Sequence, residues 1–298
     1  MAKKRRSRPK GKNRSRKQSN TGHIVRNTIT VIVIIAIIVS LLLYLRDNTS
    51  PLPFRANNTP AYTGTAVQGH IASLDRAKTP QNRRSQIIEH KGYTVSYNSQ
   101  WRLPNWVAYE LTAEETRGDA ERSNRFLVDP KVEGVCPRHN DYTHSGYDRG
   151  HMAPAADMTW DEQAMRESFY MSNICPQVHG LNTGVWKQLE NKVRIWARRD
   201  SAIIVVSGPI VKESHPTIGR NRVAVPDYFY KVVASPYVNP PRGIAFIFKN
   251  EATKQPLYTY TVTIDSVETL TGIDFLYNLP DSLENYIEQN IDLQSWQL

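Results

Sequence analysis

Two residues of one short segment, Arg149 and His151, have side chains that could act together on a phosphate ester. One residue separates them, so in an extended segment both side chains project to the same side. An arginine guanidinium is planar and always charged, which suits a phosphate group. A neutral histidine beside it can take a proton from water near pH 7. Phosphodiester hydrolysis needs both functions, and usually a metal ion that neutralises the leaving oxygen.

Three polar residues downstream could complete such a site. Asn182 offers a hard oxygen ligand of the kind that Mg²⁺ accepts. It stands at the predicted start of a helix, where it could equally act as an N-cap. Glu190 lies eight residues later, roughly 80° around that helix, and reaches a shared metal more readily through water than directly. Asn173 precedes a break at Pro176, and we expect it to fix a loop beside the histidine.

These residues lie in three sequence stretches that follow one another: DRGHMAPAADM (148–158), FYMSNICPQ (169–177) and LNTGVWKQLE (181–190). Their content and spacing resemble the DNA/RNA non-specific endonucleases, which are the ββα-metal or His-Me finger nucleases that include endonuclease G. The resemblance covers about residues 90–298. A DRGH tetrapeptide alone would be a weak signal, but three ordered motifs at the family's spacing form a specific one.

The resemblance implies a role for each residue. His151 is the general base that activates the attacking water, and Asn182 is the direct protein ligand of one Mg²⁺. Glu190 holds metal-bound water. Arg149 contacts the phosphate and stabilises the transition state, and Asn173 orients the histidine or the substrate.

The resemblance also implies an upstream arginine that binds substrate, for which Arg125 is the candidate although its spacing is off by one residue. It implies a fold with a central antiparallel sheet flanked by helices and an active site on a strand–loop–helix finger. Mg²⁺, or Mn²⁺ or another divalent cation in its place, is the implied cofactor. DNA and RNA are the implied substrates, 5′-phosphates the products and a homodimer a further expectation.

The elements that must position these residues are visible in the hydrophobic pattern. Leu181, Val185, Leu189, Val193 and Trp196 share one face of a predicted helix. A second, short helix is predicted at Asp281–Glu284. Five strands are predicted, at residues 92–97, 106–111, 202–207, 228–234 and 244–248. Strands on both sides of a central helical stretch, without alternation of strand and helix, predict an α+β fold.

Cys136 and Cys175 flank the proposed site and leave three alternatives open. In an oxidising compartment they could form a disulfide, which we expect, that ties the loop before the histidine to the loop after it. With His139 and His179 they could instead bind zinc, although this ligand spacing is uncommon. They could also be free buried thiols.

The charge distribution separates an N-terminal segment from the rest of the chain. The 298 residues carry a net charge of +10, but residues 1–46 hold twelve Lys/Arg and no acidic residue. The remaining residues, 47–298, hold 26 basic and 28 acidic residues, which sum to −2. The body therefore cannot be classed as a basic nucleic-acid-binding domain from its composition. Two cysteines also exclude a disulfide-rich scaffold.

Residues 28–45 form an uncharged stretch of eighteen residues, which as a helix spans roughly 27 Å, close to the thickness of a hydrocarbon core. The cations before it predict a cytoplasmic N-terminus. No cleavage site of small residues follows, so we expect an uncleaved signal anchor rather than a removed signal peptide.

The resulting domain layout has four parts: a basic cytoplasmic tail (1–27), a transmembrane signal anchor (28–45), a flexible linker (46–83) and a nuclease domain (84–298). We expect a single-pass protein in the lipid bilayer with its nuclease domain on the outer side. A bacterial inner membrane with a periplasmic domain is the expected location, and an organelle membrane is the alternative.

Three rival functions use the same residues. A nucleic-acid-binding or uptake module without catalysis is the first, and the intact His151, Asn182 and Glu190 set argues against it. The second is a phosphodiesterase for a non-nucleic substrate. The third is a membrane-tethered structural protein that retains the fold only as a relic.

Overall fold

A seven-stranded antiparallel sheet forms the centre of the protein in the computed structural model, which describes Tyr62 and residues 73–298. The strands are, in chain order, β1 (Gln86–Glu89), β2 (Thr94–Asn98), β3 (Leu103–Thr112), β4 (Asp148–His151), β5 (Ile174–Gln177), β6 (Ala202–Ile210), β7 (Thr217–Ile218), β8 (Val223–Ala224), β9 (Tyr228–Ser235), β10 (Arg242–Lys249) and β11 (Thr261–Val262). The large sheet has the order β1-β2-β3-β6-β9-β10-β11, and β4 and β5 pair separately, as do β7 and β8.

The helices lie on both faces of this sheet. They are α1 (Glu162–Ser168), α2 (His179–Leu181), α3 (Lys187–Asp200), α4 (Ile264–Thr271), α5 (Asp281–Gln289) and α6 (Leu293–Trp296). A π-helical turn, Asn182–Trp186, joins α2 to α3. The α+β fold with a central antiparallel sheet and flanking helices is therefore as the sequence predicts.

Alternation along the central strands divides the core into two layers. On β6, Ile203 and Val205 belong to the core cluster that also contains α3, whereas Ile204 and Val206 belong to the cluster that contains α4 and α5. Successive side chains of a strand point to opposite faces, so these two clusters lie on opposite sides of the sheet. Strands buried on both faces explain the continuous apolar run in this part of the sequence.

The five strands and two helices predicted from the pattern are all present, with shifted ends. The strand predicted to stop at Ser207 continues through Gly208 and Pro209 to Ile210, because Pro209 pairs with Phe229 of the neighbouring β9. The short C-terminal helix extends to Gln289.

The boundary predicted between linker and folded domain, at residue 84, is too late. Leu74 and Ala77 are buried, and the backbone N–H of Lys78 donates to the carbonyl of Asp274 over 2.8 Å. Residues 73–83 are therefore part of the folded unit rather than of a flexible linker. Within Tyr62 and 73–298, no helix is long and apolar enough to span a bilayer. The membrane helix predicted at 28–45 and the basic tail at 1–27 lie outside these described residues.

Candidate active site

The β4–β5 hairpin carries the central histidine. Strand β4 runs antiparallel to β5, with His151 opposite Ile174 and Gly150 opposite Cys175. Gly150 is required here, because a Cβ at this position would lie 2.3 Å from Gln177 Oε1. The extended backbone of β4 directs Arg149 and His151 to the same side, as expected from their spacing. Together with the helical segment that follows β5, the hairpin forms the expected strand–loop–helix finger.

A cleft of about 420 Å³ gathers the predicted residues. Arg149 and His151 line it from β4, Asn182 from the π-helical turn and Glu190 from α3. The first and third sequence motifs thus converge on one concave surface, whereas no residue of the second motif (169–177) lines it.

His151 is a neutral imidazole at the wall of the cleft. Its side chain is buried and packs edge-on against Phe169, with ring centroids 4.9 Å apart. Burial, and secondarily the charge of Arg122, lowers the pKa of His151 to about 3. Nε2 has no hydrogen-bond partner among the described residues. A neutral imidazole with an unpartnered nitrogen can accept a proton or a ligand in the cleft.

Asn173 fixes the loop that follows the histidine. It is fully buried, its Oδ1 accepts the N–H of Ala153 over 2.9 Å, and its Nδ2 donates to the carbonyl of Ala153 and to that of Ser168, both over 2.8 Å. All its polar atoms are used within the protein. Asn173 therefore ties the segment that follows His151 to the end of α1.

Asn182 lies in a π-helical turn rather than at a helix N-terminus. Its backbone N–H donates to the carbonyl of Val178, so the helical segment already begins before it and the N-cap interpretation is wrong. Insertions of this type occur frequently at functional sites. Asn182 Nδ2 donates to Asp148 Oδ2 over 2.9 Å. The carboxylate can only accept, which fixes the amide orientation and leaves Asn182 Oδ1 as the available ligand atom.

Glu190 belongs to a network of charges behind the cleft. Lys231 is 1% exposed, lies 4.5 Å from the centroid of the Trp186 ring and donates to Ser207 Oγ. Burial raises the pKa of Glu190 and lowers that of Lys231, while the attraction between the two opposes both shifts. The buried cation thus favours the ionised form of Glu190.

Arg149 is held against the wall of the cleft by its neighbours. A terminal nitrogen donates to the carbonyl of His139 over 3.1 Å, and the guanidinium lies 5.6 Å from the ring centroid of Phe126 and 5.7 Å from that of Tyr142. Burial lowers the pKa of Arg149, which remains far above neutrality. Burial and the charge of Arg149 lower the pKa of His139, which keeps that imidazole neutral.

Comparison with known proteins assigns the family. A model of the DNA/RNA non-specific endonuclease family matches residues 72–282. The chain belongs to this family. It is 36% identical to the mitochondrial nuclease EXOG of Danio rerio over 72% of this chain and 66% of that protein. It is 34% identical to the mitochondrial nuclease of Saccharomyces cerevisiae over 66% of this chain and 68% of that protein. The chain thus spans about two thirds of the length of these relatives, slightly less for the first.

The fold comparison agrees with this assignment. One chain of a crystal structure of the EndoG/EndoGI complex superposes with a TM-score of 0.62 at 32% identity, over 66% of this chain and 87% of that one. The DNA/RNA non-specific endonucleases depend on a divalent metal ion. The residues of this cleft fit one, because Asn182 Oδ1 and the Glu190 carboxylate are hard oxygen donors beside the unpartnered nitrogen of His151.

Four cationic side chains line the cleft, and the sequence analysis predicts only Arg149 among them as a site residue. The others are Arg122, Lys187 and Arg194. Arg125 is exposed and does not line the cleft, whereas Arg122 of the same loop does, so substrate binding by Arg125 stays a prediction. The loop that carries both residues is irregular, and only its folded path decides which side chain enters the cleft.

The two cysteines form neither a disulfide nor a zinc site in the structure. Both are free, buried thiols beside Tyr142, and burial raises the pKa of Cys136 to about 12 and that of Cys175 well above its usual range. The prediction of a disulfide is therefore wrong in this structure, and the two cysteines occupy separate positions in the apolar core. His139 contacts Arg149, and His179 Nδ1 contacts Asp148 Oδ2, so the four residues do not gather as metal ligands within the described chain.

Proposed function

We propose that this protein is a divalent-metal-dependent endonuclease that hydrolyses phosphodiester bonds of DNA and RNA with little sequence preference. The observation that carries the proposal is the convergence of Arg149, His151, Asn182 and Glu190 on one cleft. Membership of the non-specific endonuclease family supports it. We also infer 5′-phosphate products, as the resemblance of the motifs implies.

His151 accepts the proton of the attacking water. It is neutral at every pH above its lowered pKa, so its unpartnered Nε2 is ready to accept. A pKa near 3 makes a weak base, because a general base works best near the operating pH. A bound phosphodiester brings a negative charge toward the ring and raises that pKa. The base thus becomes stronger once substrate has arrived.

Asn182 Oδ1 and, through water, Glu190 would hold the divalent ion, with Mg²⁺ the expected ion and Mn²⁺ its expected substitute. When bound, such an ion acts as a Lewis acid that stabilises charge on the phosphate and the leaving oxygen. Asp148 holds the Asn182 carboxamide in the ligating orientation. Arg149 binds a phosphate oxygen and offsets the charge that develops during displacement.

The cleft suits a nucleic acid backbone rather than a base edge. Four cations surround it in a body whose overall charge is slightly negative, so the positive potential is local. Backbone contacts carry no sequence information directly, which accounts for weak sequence preference.

Cleavage of a supercoiled plasmid by the purified full chain tests this function. His151→Ala should lower the rate by roughly 10²- to 10⁴-fold, the usual scale for a positioned base, and EDTA should abolish cleavage. His215→Ala, outside the cleft, is the matched control and should cleave normally. A loss below tenfold removes His151 from its assigned role. Turnover of bis-nitrophenyl phosphate that exceeds cleavage of long DNA would favour a non-nucleic substrate instead.

We further propose that residues 28–45 anchor the protein in a bilayer, with residues 1–27 cytoplasmic and the nuclease domain outside, facing the periplasm from a bacterial inner membrane. The uncharged length of that segment and the cations before it support the proposal. Extraction at alkaline pH should leave the protein in the membrane pellet, and external protease should remove the nuclease domain from spheroplasts. Release into the alkaline supernatant contradicts the anchor. The homodimer stays a prediction, and the molar mass of the solubilised protein from light scattering tests it.

A further inference from the structure

Helices α4 and α5 carry a group of carboxylates on the side of the sheet opposite the core layer of the cleft. Asp265 and Glu268 lie three residues apart on α4, and Glu288 lies near the end of α5. One carboxylate oxygen from each lies within 4.8 Å of those of the other two. None of the three lines the active-site cleft.

Helix packing holds these carboxylates together. Both helices sit directly on β10 at Gly243, where a Cβ would lie 2.7 Å from Ile287 Cγ2 and 2.8 Å from Ile264 Cδ1. Ile264 and Ile287 are fully buried and immediately precede Asp265 and Glu288 in the sequence. The carboxylates therefore cannot separate without unpacking the two helices from the sheet.

Glu288 gives the observation that points to a ligand. Glu288 is only 5% exposed, and its Oε1 has no hydrogen-bond partner in the part of the chain that the structure describes. A buried carboxylate needs a hydrogen-bond donor, a cation or a proton. Glu268 Oε1 already accepts the backbone N–H of Phe275 over 2.7 Å, which fixes that carboxylate in place.

The three carboxylates repel one another when they are ionised, and further carboxylates nearby add to this repulsion. Burial, and after it the surrounding carboxylates, raises the pKa of Glu288 to about 9. Burial also raises the pKa of Glu268 to about 7. Glu284 and Asp274 add negative charge from α5 and from the loop before it. Lys78 is the nearby cation, but it lies 3.6 Å from Asp274 with a largely exposed side chain.

We propose that Asp265, Glu268 and Glu288 bind a divalent cation, Ca²⁺ in the first instance, which bridges α4 and α5. Ca²⁺ takes oxygen ligands at about 2.3–2.6 Å in flexible geometry, so ligands on opposite sides of the ion lie about 4.6–5.2 Å apart. The three ligand oxygens, which all lie within 4.8 Å of one another, are therefore close enough to reach one such ion. Mg²⁺ requires a nearly ideal octahedron and keeps several waters, which a fixed group of three carboxylates serves less well. The bound ion neutralises the repulsion between the two helices and stabilises the folded protein.

Thermal unfolding of the full chain in detergent, with Ca²⁺ from about 10 μM to about 10 mM, tests the site. The wild-type Tm should rise by about 5 °C or more when free Ca²⁺ reaches about a hundred times its Kd. Glu288→Gln should lose this rise, and its Tm without Ca²⁺ should exceed that of the wild type because repulsion is relieved. Glu213→Gln removes an exposed carboxylate elsewhere and is the matched control, with the full rise.

The cleft is the other place where a cation could bind, and Asn182→Ala separates the two. This variant should keep the Ca²⁺-dependent rise in Tm and bind one Ca²⁺ in equilibrium dialysis, and the double variant with Glu288→Gln should bind none. Equal Ca²⁺ responses of Glu288→Gln and Glu213→Gln overturn the proposal. It is also overturned if the wild-type Tm ignores Ca²⁺ and rises as the pH is lowered from 8 to 6, because the carboxylates then share a proton instead of a cation.

Discussion

Asp148 fixes the orientation of the Asn182 carboxamide, and the substitution Asp148→Asn tests whether the proposed metal binding depends on that orientation. The native carboxylate accepts from Asn182 Nδ2 over 2.9 Å. An asparagine at 148 has nearly the same size but can donate as well as accept, so Asn182 can then turn its amide by 180°. We expect the site to bind the metal ion more weakly. The fold should be unchanged, and a higher concentration of Mg²⁺ should be needed for cleavage.

The size of the effect follows from the bond that is lost. A hydrogen bond to a charged group contributes about 1.5–3 kcal/mol. The Asp148 side chain is 32% exposed, so the lower end of that range applies. A loss of about 1.4 kcal/mol changes an equilibrium constant tenfold. The Mg²⁺ concentration for half-maximal cleavage should therefore rise about tenfold, with kcat at saturating Mg²⁺ within about threefold of the wild type.

Plasmid cleavage over a Mg²⁺ series measures both quantities. His179→Ala is the matched control, because His179 Nδ1 lies 2.9 Å from the same Asp148 oxygen but its side chain is 75% exposed. Its Mg²⁺ curve should stay close to that of the wild type. An unchanged curve for Asp148→Asn, or a fall in kcat that added Mg²⁺ does not restore, refutes the assigned role of Asp148.

Three further predictions concern charges that the structure places. DNA binding measured by anisotropy in EDTA should depend less on salt in Arg122→Ala, with the slope of log K against log salt concentration reduced in magnitude by about one. Arg125→Ala should leave that slope unchanged. Equal slopes for the two variants contradict the placement of Arg122 in the cleft. Lys231→Met should destabilise the fold by about 3 kcal/mol in denaturant unfolding, because it leaves buried carboxylates uncompensated, and exposed Lys249→Met should change it little. Two arginines hold the pKa of Asp200 below its usual value. Asp200→Asn should therefore cost about 2 kcal/mol at pH 7. The difference from the wild type should narrow as the pH falls below about 4, because the carboxylate of the unfolded chain binds a proton there before the native carboxylate does; a difference that is constant with pH contradicts this.

The sequence predicts well which of these residues lie together, because their relations depend on short-range structure. Arg149 and His151 share a face of any extended segment, and Asn182 and Glu190 share a helical segment. Each relation is set by a few consecutive residues, and it survives the shift from an N-cap to a π-helical turn at Asn182. The order of the motifs then indicates the family, and the resemblance to the family implies how the segments come together in the fold.

The same reasoning cannot predict contacts that depend on chain path. Arg122 and Arg125 lie in one irregular loop and have the same chemistry, so neither periodicity nor propensity selects the one that enters the cleft. Lys231 lies in an apolar strand pattern, and nothing local reveals that its ammonium group lies behind the cleft. Cys136 and Cys175 flank the site in sequence, yet their burial as free thiols follows from core packing rather than from spacing.

The separation of charge across the sheet links substrate capture to the remainder of the fold. The residues after the basic segment sum to a slightly negative charge, so non-specific attraction to nucleic acid is weak over most of the surface. Cations line the cleft next to one core layer, and a carboxylate group lies on the helices of the other. We expect this arrangement to give the domain an electrostatic polarity, so that the cleft faces an approaching polyanion and the carboxylate group faces away from it. Because exposed charges are screened within about 10 Å at 0.1 M salt, the orienting effect acts mainly at low ionic strength, whereas contacts inside the cleft persist.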